Sequence, residues 1–367
     1  MYAELEPADL LSALPGAAGP AEGPWLVRWD AVADKAERLV MAALPPVVEL
    51  STSGSTGARR SWARTREQLW AEAGLLAGLL APDRPQAVLS FAPPRHLYGI
   101  LVGVLVPARL GLPVWYRSQY GPMPPQEAAR RWAVMAIPWT FSLMLQRGSW
   151  TRAAERVSVL HSTAMLPATA GELVAAAGAD RLTVTEIFGS TETGGVATRR
   201  WSPGNPPWEL FPDVTFAEPR AAGEAPLTVR SPRLARSAGG EPLTTWQLDD
   251  HVEILDERRF RFAGRRSRLV NVNGRRINLD ELEISVRAAL PCADLALVPV
   301  RDPVIGEHFD LLLVPGEAAS AANVDVRAAF AEIGVRPRRL RLVDRIDRSE
   351  TGKLRRVRDA DDAGEPA

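Results

Sequence analysis

Residues 49–62 read ELSTSGSTGARRSW, and every position from Ser51 to Gly57 is Ser, Thr or Gly. Arg59 and Arg60 follow directly. Hydroxyls and bare backbone N–H groups at a glycine-rich turn can surround phosphate oxygens without steric obstruction. The two guanidiniums add positive charge at the same place. A flexible surface loop has the same composition, so the loop by itself leaves both readings open. The Walker A pattern GxxxxGK[ST] is not met, because Arg stands at position 60 where lysine is required. The flanks say more. Residues 47–50 read as a short strand running into the loop. TREQLWAEAGLLAGLL, 65–80, reads as a helix, with Thr65 and Gln68 at capping-box spacing. Leu69, Ala73, Leu76 and Leu80 fall on one face of it.

The same alternation continues outward. PQAVLSFAPPRHLYG (85–99) is a buried-looking strand ending in a Pro/His/Gly loop. WAVMAIPWTFSLML (132–145) and RVSVLHSTAMLP (156–167) repeat strand, loop and helix. RLTVTEIFGSTETGG (181–195) is a strand entering a second Gly/Ser/Thr loop. This order predicts an α/β domain. After residue 205 the pattern changes to short strands joined by turns: APLTVRSP, TTWQLDDHVEIL and RRFRFAGR. A smaller unit follows GRRSR (264–268), with helical INLDELEISVRAAL and NVDVRAAFAEIG around strand-like DLALVPVRD and HFDLLLVPG. The expected organisation is a loose leader over 1–24, a large domain over 25–264, a small domain over 265–358 and a disordered tail over 359–367.

The 367 residues carry 44 basic and 44 acidic side chains, for zero net charge. That balance argues against a nucleic-acid or membrane-surface protein. With Cys292 the only cysteine, no intramolecular disulfide forms, which fits a reducing compartment. The N-terminal MYAELEPADLL is acidic where a signal peptide is basic. The longest apolar stretch, LYGILVGVLVPARLGLPVW, is interrupted by Pro107, Arg109 and Pro113 and is too short to span a membrane. A cytoplasmic protein is expected. Only two basic residues are lysine, Lys35 and Lys353, so each lysine kept in this arginine-rich background is a candidate for a role that needs lysine.

Taken in order, STSGSTGARR, PPRHLYG (93–99), EIFGSTETGG (186–195), LDD (248–250), GRRSR and TGK (351–353) resemble the core motifs of the adenylate-forming superfamily. That superfamily includes acyl- and aryl-CoA synthetases, peptide-synthetase adenylation domains and luciferase. The HxYG turn and the EIFGSTETGG form bring the resemblance nearest to stand-alone AMP-ligases of aryl-polyene and xanthomonadin-type pigment clusters. The resemblance implies an α/β adenylate-forming fold with a shortened large N-terminal domain and a small mobile C-terminal α+β domain. Three departures stand out: the phosphate loop ends in Arg59–Arg60 rather than Pro-Lys, Ser267 occupies the hinge position, and Asn271 replaces a common lysine.

The implied reaction joins a small aromatic or unsaturated carboxylic acid to AMP, using ATP and Mg2+, then moves the acyl group to a thiol. The first step brings anions together and needs fixed donors and cations. By resemblance, Ser51, Thr52, Ser53, Gly54, Ser55, Thr56, Gly57 and Arg60 hold the β- and γ-phosphates. Phe188, Gly189 and Ser190 belong to the adenine motif, Thr191 touches the α-phosphate, and Glu192 holds Mg2+. Asp250 binds the ribose hydroxyls with help from Arg265. Lys353 bridges the carboxylate and the α-phosphate, a task that suits a compact ammonium better than a guanidinium. His96 orients the acid. Tyr98, Ser162, Thr163, Ala164, Gly194 and Gly195 wall its pocket, and Gly274 tips the loop lining the thiol path. The acceptor is an acyl carrier protein or CoA. Ten basic against three acidic residues over 336–358 favour an acidic carrier protein, although a solvated basic face has the same composition. Two other readings are an amine or inorganic nitrogen acceptor and a non-catalytic adenylate-binding remnant.

Overall fold

A computed structural model describes the chain except residues 15–22, 54–58, 119–120, 218–222, 238–239, 273–274, 291, 303–305, 317–329, 331–334, 349–353 and 355–367. It gives the backbone alone for 51–53, 59, 60, 223 and 237. The chain divides into two compact units. One comprises residues 1–219, 228–246 and 256–260; the other comprises 220–227, 247–255 and 261–367.

The first unit is built on β1 (Ala3–Leu5), β2 (Trp25–Arg28), β3 (Val47–Ser53), β4 (Arg59–Thr65), β5 (Ala87–Ser90), β6 (Pro113–Tyr116), β7 (Arg131–Ala136), β8 (Arg156–His161), β9 (Leu182–Ser190) and β10 (Gly194–Arg200). The main sheet runs β1-β2-β6-β5-β7-β8-β9-β10. Its middle strands, β6-β5-β7-β8-β9, are all parallel. Parallel strands need helical crossovers on both faces. The sequence supplies unbroken apolar runs there, and all four residues of β5 are buried. Helices Pro138–Gln146 and Ala168–Ala177 provide crossovers after β7 and β8. The helix Arg66–Leu80 begins with the expected capping box, Thr65 Oγ1 accepting from Gln68 N and Gln68 Oε1 from Thr65 N. Its expected apolar face is buried. A short antiparallel sheet joins β3 to β4 and β4 to Arg236–Ser237.

Residues 3–13 differ from the loose leader expected of them. β1 pairs in parallel with β2, and the helix Pro7–Ala13 buries Leu10 and Leu11 completely. Their Ala/Gly/Pro-rich surroundings hid a seven-residue amphipathic segment. After β8 the helix begins only at Ala168, behind Pro167.

In the second unit a hairpin, Leu269–Val272 with Arg275–Asn278, leads into the helix Leu279–Ala289, whose N-cap Asn278 Oδ1 accepts from Asp280 N. A sheet of Cys292–Asp302, Gly306–Pro315 and Leu340–Leu342 follows. Val270, Leu279, Val286, Leu295, Leu297, Phe309 and Leu311 belong to its core. The expected helix over 323–334 lies outside the described residues apart from Phe330, as does the tail over 359–367. Among the described residues no helix is long and apolar enough to cross a membrane.

Candidate functional site

Ligands of parallel α/β sheets bind beyond the carboxyl ends of the strands. At these ends stand several of the expected site residues of the first unit. Phe91 and the His96–Gly99 turn follow β5. Ile137, Pro138 and Trp139 follow β7, Ser162 and Thr163 follow β8, and Thr191 and Glu192 close β9. Phe91 and Trp139 meet edge to face at 5.4 Å, putting an aromatic pair at the ends of two neighbouring strands.

His96 is half-buried at the N-cap of a helix beginning at Leu97, where its carbonyl accepts from Ile100 N at 2.9 Å. The Tyr98 hydroxyl donates to the carbonyls of Leu160, at 2.9 Å, and Ala136, at 3.2 Å. Burial raises its pKa, so the phenol stays protonated and ties the ends of β7 and β8 together. Ser162 Oγ donates to Ile187 O at 2.9 Å, joining the turn after β8 to β9. Thr163 has φ of +82°, left-handed backbone that a β-branched residue rarely adopts. Its hydroxyl is buried with no hydrogen-bond partner among the described residues. Strain and an unsatisfied polar group coincide at this turn, as they do at functional sites. Ala164 follows in the same turn, half-buried.

The FGSTETGG segment folds as a hairpin in which Ser190 pairs with Gly194 and Gly189 with Gly195. Thr193, fully buried, fastens the turn: its Oγ1 accepts from Ser190 N and donates to Gly194 O. Phe188 packs edge to face against Trp208 and Phe260. Thr191 and Glu192 are half-buried on this braced turn, and Ala235 N donates to the Glu192 carbonyl at 2.8 Å. The Glu192 carboxylate has no ion-pair partner among the described residues.

A buried charge cluster that the sequence reading passed over lies behind this hairpin. Glu72, Arg64 and Arg233 are each at most 2% exposed. Glu72 Oε2 accepts from Arg64 Nη1 at 2.6 Å, and its Oε1 lies 3.3 Å from Arg233 Nη1 and accepts from Gly195 N at 2.7 Å. Arg233 also donates to Gly195 O at 2.8 Å and forks onto Asp213 at 2.7 and 2.9 Å. Burial alone raises the Glu72 pKa, but Arg64, Arg233 and the Gly195 N–H outweigh it and hold the carboxyl below its ordinary range. Gly194 stands at φ +70°, and a Cβ there would lie 2.5 Å from Glu72 Oε2.

His161, at the end of β8, is buried against Phe141, and burial pushes its imidazole down to about 3. The folded protein therefore keeps it neutral, while the unfolded chain takes up a proton below the ordinary value of about 6.5. Stability from this residue is complete above about pH 6.5 and is lost as pH falls toward 3. Urea denaturation should show roughly 2–3 kcal/mol lost between pH 7 and 4.5 through this group. His161→Gln should remove that part of the slope. An unchanged pH profile in the variant would mean that other groups carry it.

In the second unit, Asp250 is buried and Arg265 Nε lies 3.3 Å from its Oδ1. The expected ribose carboxylate and its helper are thus paired. Asp249 is more exposed and faces Arg266 at 3.5 Å. Part of the basic run over 336–358 is consumed internally. Arg338 bridges Asp302 and Asp310, and Arg348 bridges Asp294 and Glu283. That leaves less free charge for an acidic partner than the raw count suggests. Lys353 and Gly274 lie outside the described residues, as do Gly54, Ser55, Thr56 and Gly57. Of Ser51, Thr52, Ser53 and Arg60 the backbone forms the two strands flanking the loop, with Thr52 opposite Arg60. Next to Lys353, Leu354 pairs with the anchored Arg348 as an antiparallel bridge.

No family model matches the chain. It is 29% identical over 313 residues to a 4-coumarate–CoA ligase of Halorhodospira halophila, covering 83% of this chain and 74% of that protein. In structure it resembles ATP-bound MatB from Rhodopseudomonas palustris, with a TM-score of 0.66 and 19% identity. That match covers 83% of this chain and 66% of the other, so the chain spans just under two thirds of that neighbour's length. It also resembles the O-succinylbenzoate coenzyme A synthetase MenE from Bacillus subtilis, in complex with ATP and magnesium ion. There the TM-score is 0.64 and the identity 16%, over 83% of this chain and 68% of the other. The chain thus has the fold of adenylate-forming enzymes and is similar in sequence to AMP-forming acid–CoA ligases.

Proposed function

We propose that the chain activates a small aromatic or unsaturated carboxylic acid as its adenylate and passes the acyl group to a phosphopantetheine thiol, of CoA or of an acyl carrier protein. One observation carries this reading: Glu192, a carboxylate with no ion-pair partner among the described residues, stands on a braced turn at the end of a parallel strand, in a chain similar in sequence to acid–CoA ligases. The aromatic pair Phe91–Trp139 beside the same edge supports an unsaturated or aromatic acid.

In the first half-reaction a carboxylate oxygen attacks the α-phosphorus of ATP and the bond to pyrophosphate breaks. Backbone N–H groups and hydroxyls of residues 51–57, with Arg60, hold the β- and γ-phosphates. Thr191 meets the α-phosphate, and Asp250, set by Arg265, takes the ribose hydroxyls. His96 orients the acid, and Lys353 neutralises charge between the acid and the α-phosphate. Tyr98, with its hydroxyl committed to two carbonyls, serves as a wall. Glu192 fits Mg2+, which characteristically takes one or two carboxylates and fills its remaining positions with phosphate oxygens and water. Among the described residues no cluster of three metal-ligating side chains competes with that arrangement. Bound there, Mg2+ would draw charge from the phosphate oxygens. In the second half-reaction the thiolate attacks the acyl carbon and AMP leaves with the bonding pair.

ATP–pyrophosphate exchange across a panel of aromatic, unsaturated and saturated acids tests the reading. Acid-dependent exchange, strongest with conjugated acids, is expected. ATP binding without exchange for any acid would make the chain an adenylate-binding remnant. AMP release accelerated by an amine, and not by CoA or a loaded carrier, would replace the thiol acceptor. Gly274→Trp should cut acyl transfer at least about tenfold by filling the thiol path while leaving exchange near wild type, a loss near 1.4 kcal/mol of transition-state stabilisation. Equal damage to both steps would give the loop of Gly274 a purely structural role.

A further inference from the structure

We propose that Arg64, Glu72 and Arg233 are positioning residues for adenylation, tying the strand that leaves the phosphate loop to the turn that carries Thr191 and Glu192. Arg64 lies on β4, whose other end begins at Arg59 and Arg60. Its guanidinium donates to Glu72 Oε2 and to the Arg233 carbonyl. Glu72, in the second turn of the helix that follows β4, accepts from Gly195 N, and Arg233 donates to Gly195 O. Both polar backbone atoms of Gly195 are therefore gripped by charged groups. The same 231–235 segment reaches the other side of the turn, where Ala235 N donates to the Glu192 carbonyl. Gln68 Nε2 holds that segment from the helix by donating to Pro232 O at 2.9 Å.

Two physical points separate this cluster from ordinary packing. Buried ion sets are weak stabilisers, and well-packed apolar replacements of a whole set are often neutral or stabilising. Charge-assisted bonds to a backbone amide and carbonyl are directional, so they fix geometry where apolar contacts permit sliding. A carboxylate that must hold Mg2+ and a hydroxyl that must meet the α-phosphate need fixed geometry. The cluster thus joins two segments far apart in the chain, β4 and the 190–195 turn.

Its kinetic arm rests on the adenylation reading; its exchange arm does not. In Glu72→Gln, amide hydrogen exchange over 186–198 should quicken at least about tenfold while the strands β5, β7 and β8 keep their protection. Acid-dependent pyrophosphate exchange should fall about 10- to 100-fold in kcat, with the KM for MgATP changed less than threefold. Adding Glu72→Gln to Glu192→Gln should cost little more than Glu192→Gln alone, because Glu72 acts through that turn. If Glu72→Gln does not fold, the triple variant Arg64→Met, Glu72→Met, Arg233→Met removes every buried charge of the set except the partly exposed Asp213. It should fold and still show the fast-exchanging turn and the lowered kcat. Recovery of wild-type kcat in that variant, unaltered exchange over 186–198, or simple additivity with Glu192→Gln would each overturn the proposal. A wild type without acid-dependent exchange would overturn the catalytic reading alone, leaving the hydrogen-exchange result to judge the tie.

Discussion

Lys353→Ala is expected to lower acid-dependent pyrophosphate exchange by about 10²–10³-fold, a loss of roughly 3–4 kcal/mol of transition-state stabilisation. The α-phosphate and the attacking carboxylate are both anionic, and the lysine is proposed to stand between them. Removing it leaves the developing charge to Mg2+ and the phosphate loop. Thiolysis of supplied acyl-adenylate needs no such neutralisation and should stay within a few-fold of wild type. Of the described residues nearest to it, Arg348 bridges Asp294 through Nε at 2.9 Å and Leu354 pairs with Arg348. Lys353→Arg should recover little, because a planar fork on this stem does not place a compact charge at one point. Exchange at the wild-type rate in Lys353→Ala would remove the residue from the reaction.

Gly189→Ala should both destabilise the protein and disable it. A Cβ at 189 would overlap the Gly194 carbonyl oxygen across the hairpin. That oxygen cannot retreat easily, since Thr193 Oγ1 donates to it at 2.9 Å and Gly195 N is held by Glu72. Forcing the two strands apart should cost about 3 kcal/mol, the upper range for overpacking. Displacing the turn by about 1 Å should lower exchange by about 10²-fold in the fraction that remains folded. Urea denaturation and exchange measured in the native baseline separate the two effects. An unshifted midpoint would mean that the hairpin opens without cost and that glycine at 189 is not required by packing.

The sequence was informative wherever function depends on local chain. Thr65 and Gln68 announced the capping box because its two bonds span only three residues. The apolar runs of β5, β7 and β8 announced buried strands of an α/β domain, since strands covered on both faces have no polar side to show. The order of the Ser/Gly loop, the HxYG turn, FGSTE, LDD and TGK carried the fold, because each motif closes within a few residues of itself. Asp250 and Arg265, singled out from separate motifs, stand 3.3 Å apart in the fold.

What the sequence did not show is what depends on distant residues meeting. Glu72 carried a readable signal: it falls on the face of Leu69, Ala73 and Leu76, and an acid facing a core calls for buried cations. Which cations was beyond reach, for Arg64 and Arg233 are two among 42 arginines and stand 169 positions apart. Thr163 looked like one more small residue of a turn, and only the folded backbone revealed its φ of +82° and a hydroxyl with no hydrogen-bond partner among the described residues. Residues 3–13 looked like a leader because their apolar face acquires a partner only when β2 is in place. Local motifs are written in short-range geometry and survive in the sequence by themselves. The ties that hold two such motifs in register are long-range pairings of common residue types, and their identity exists only once the chain has folded.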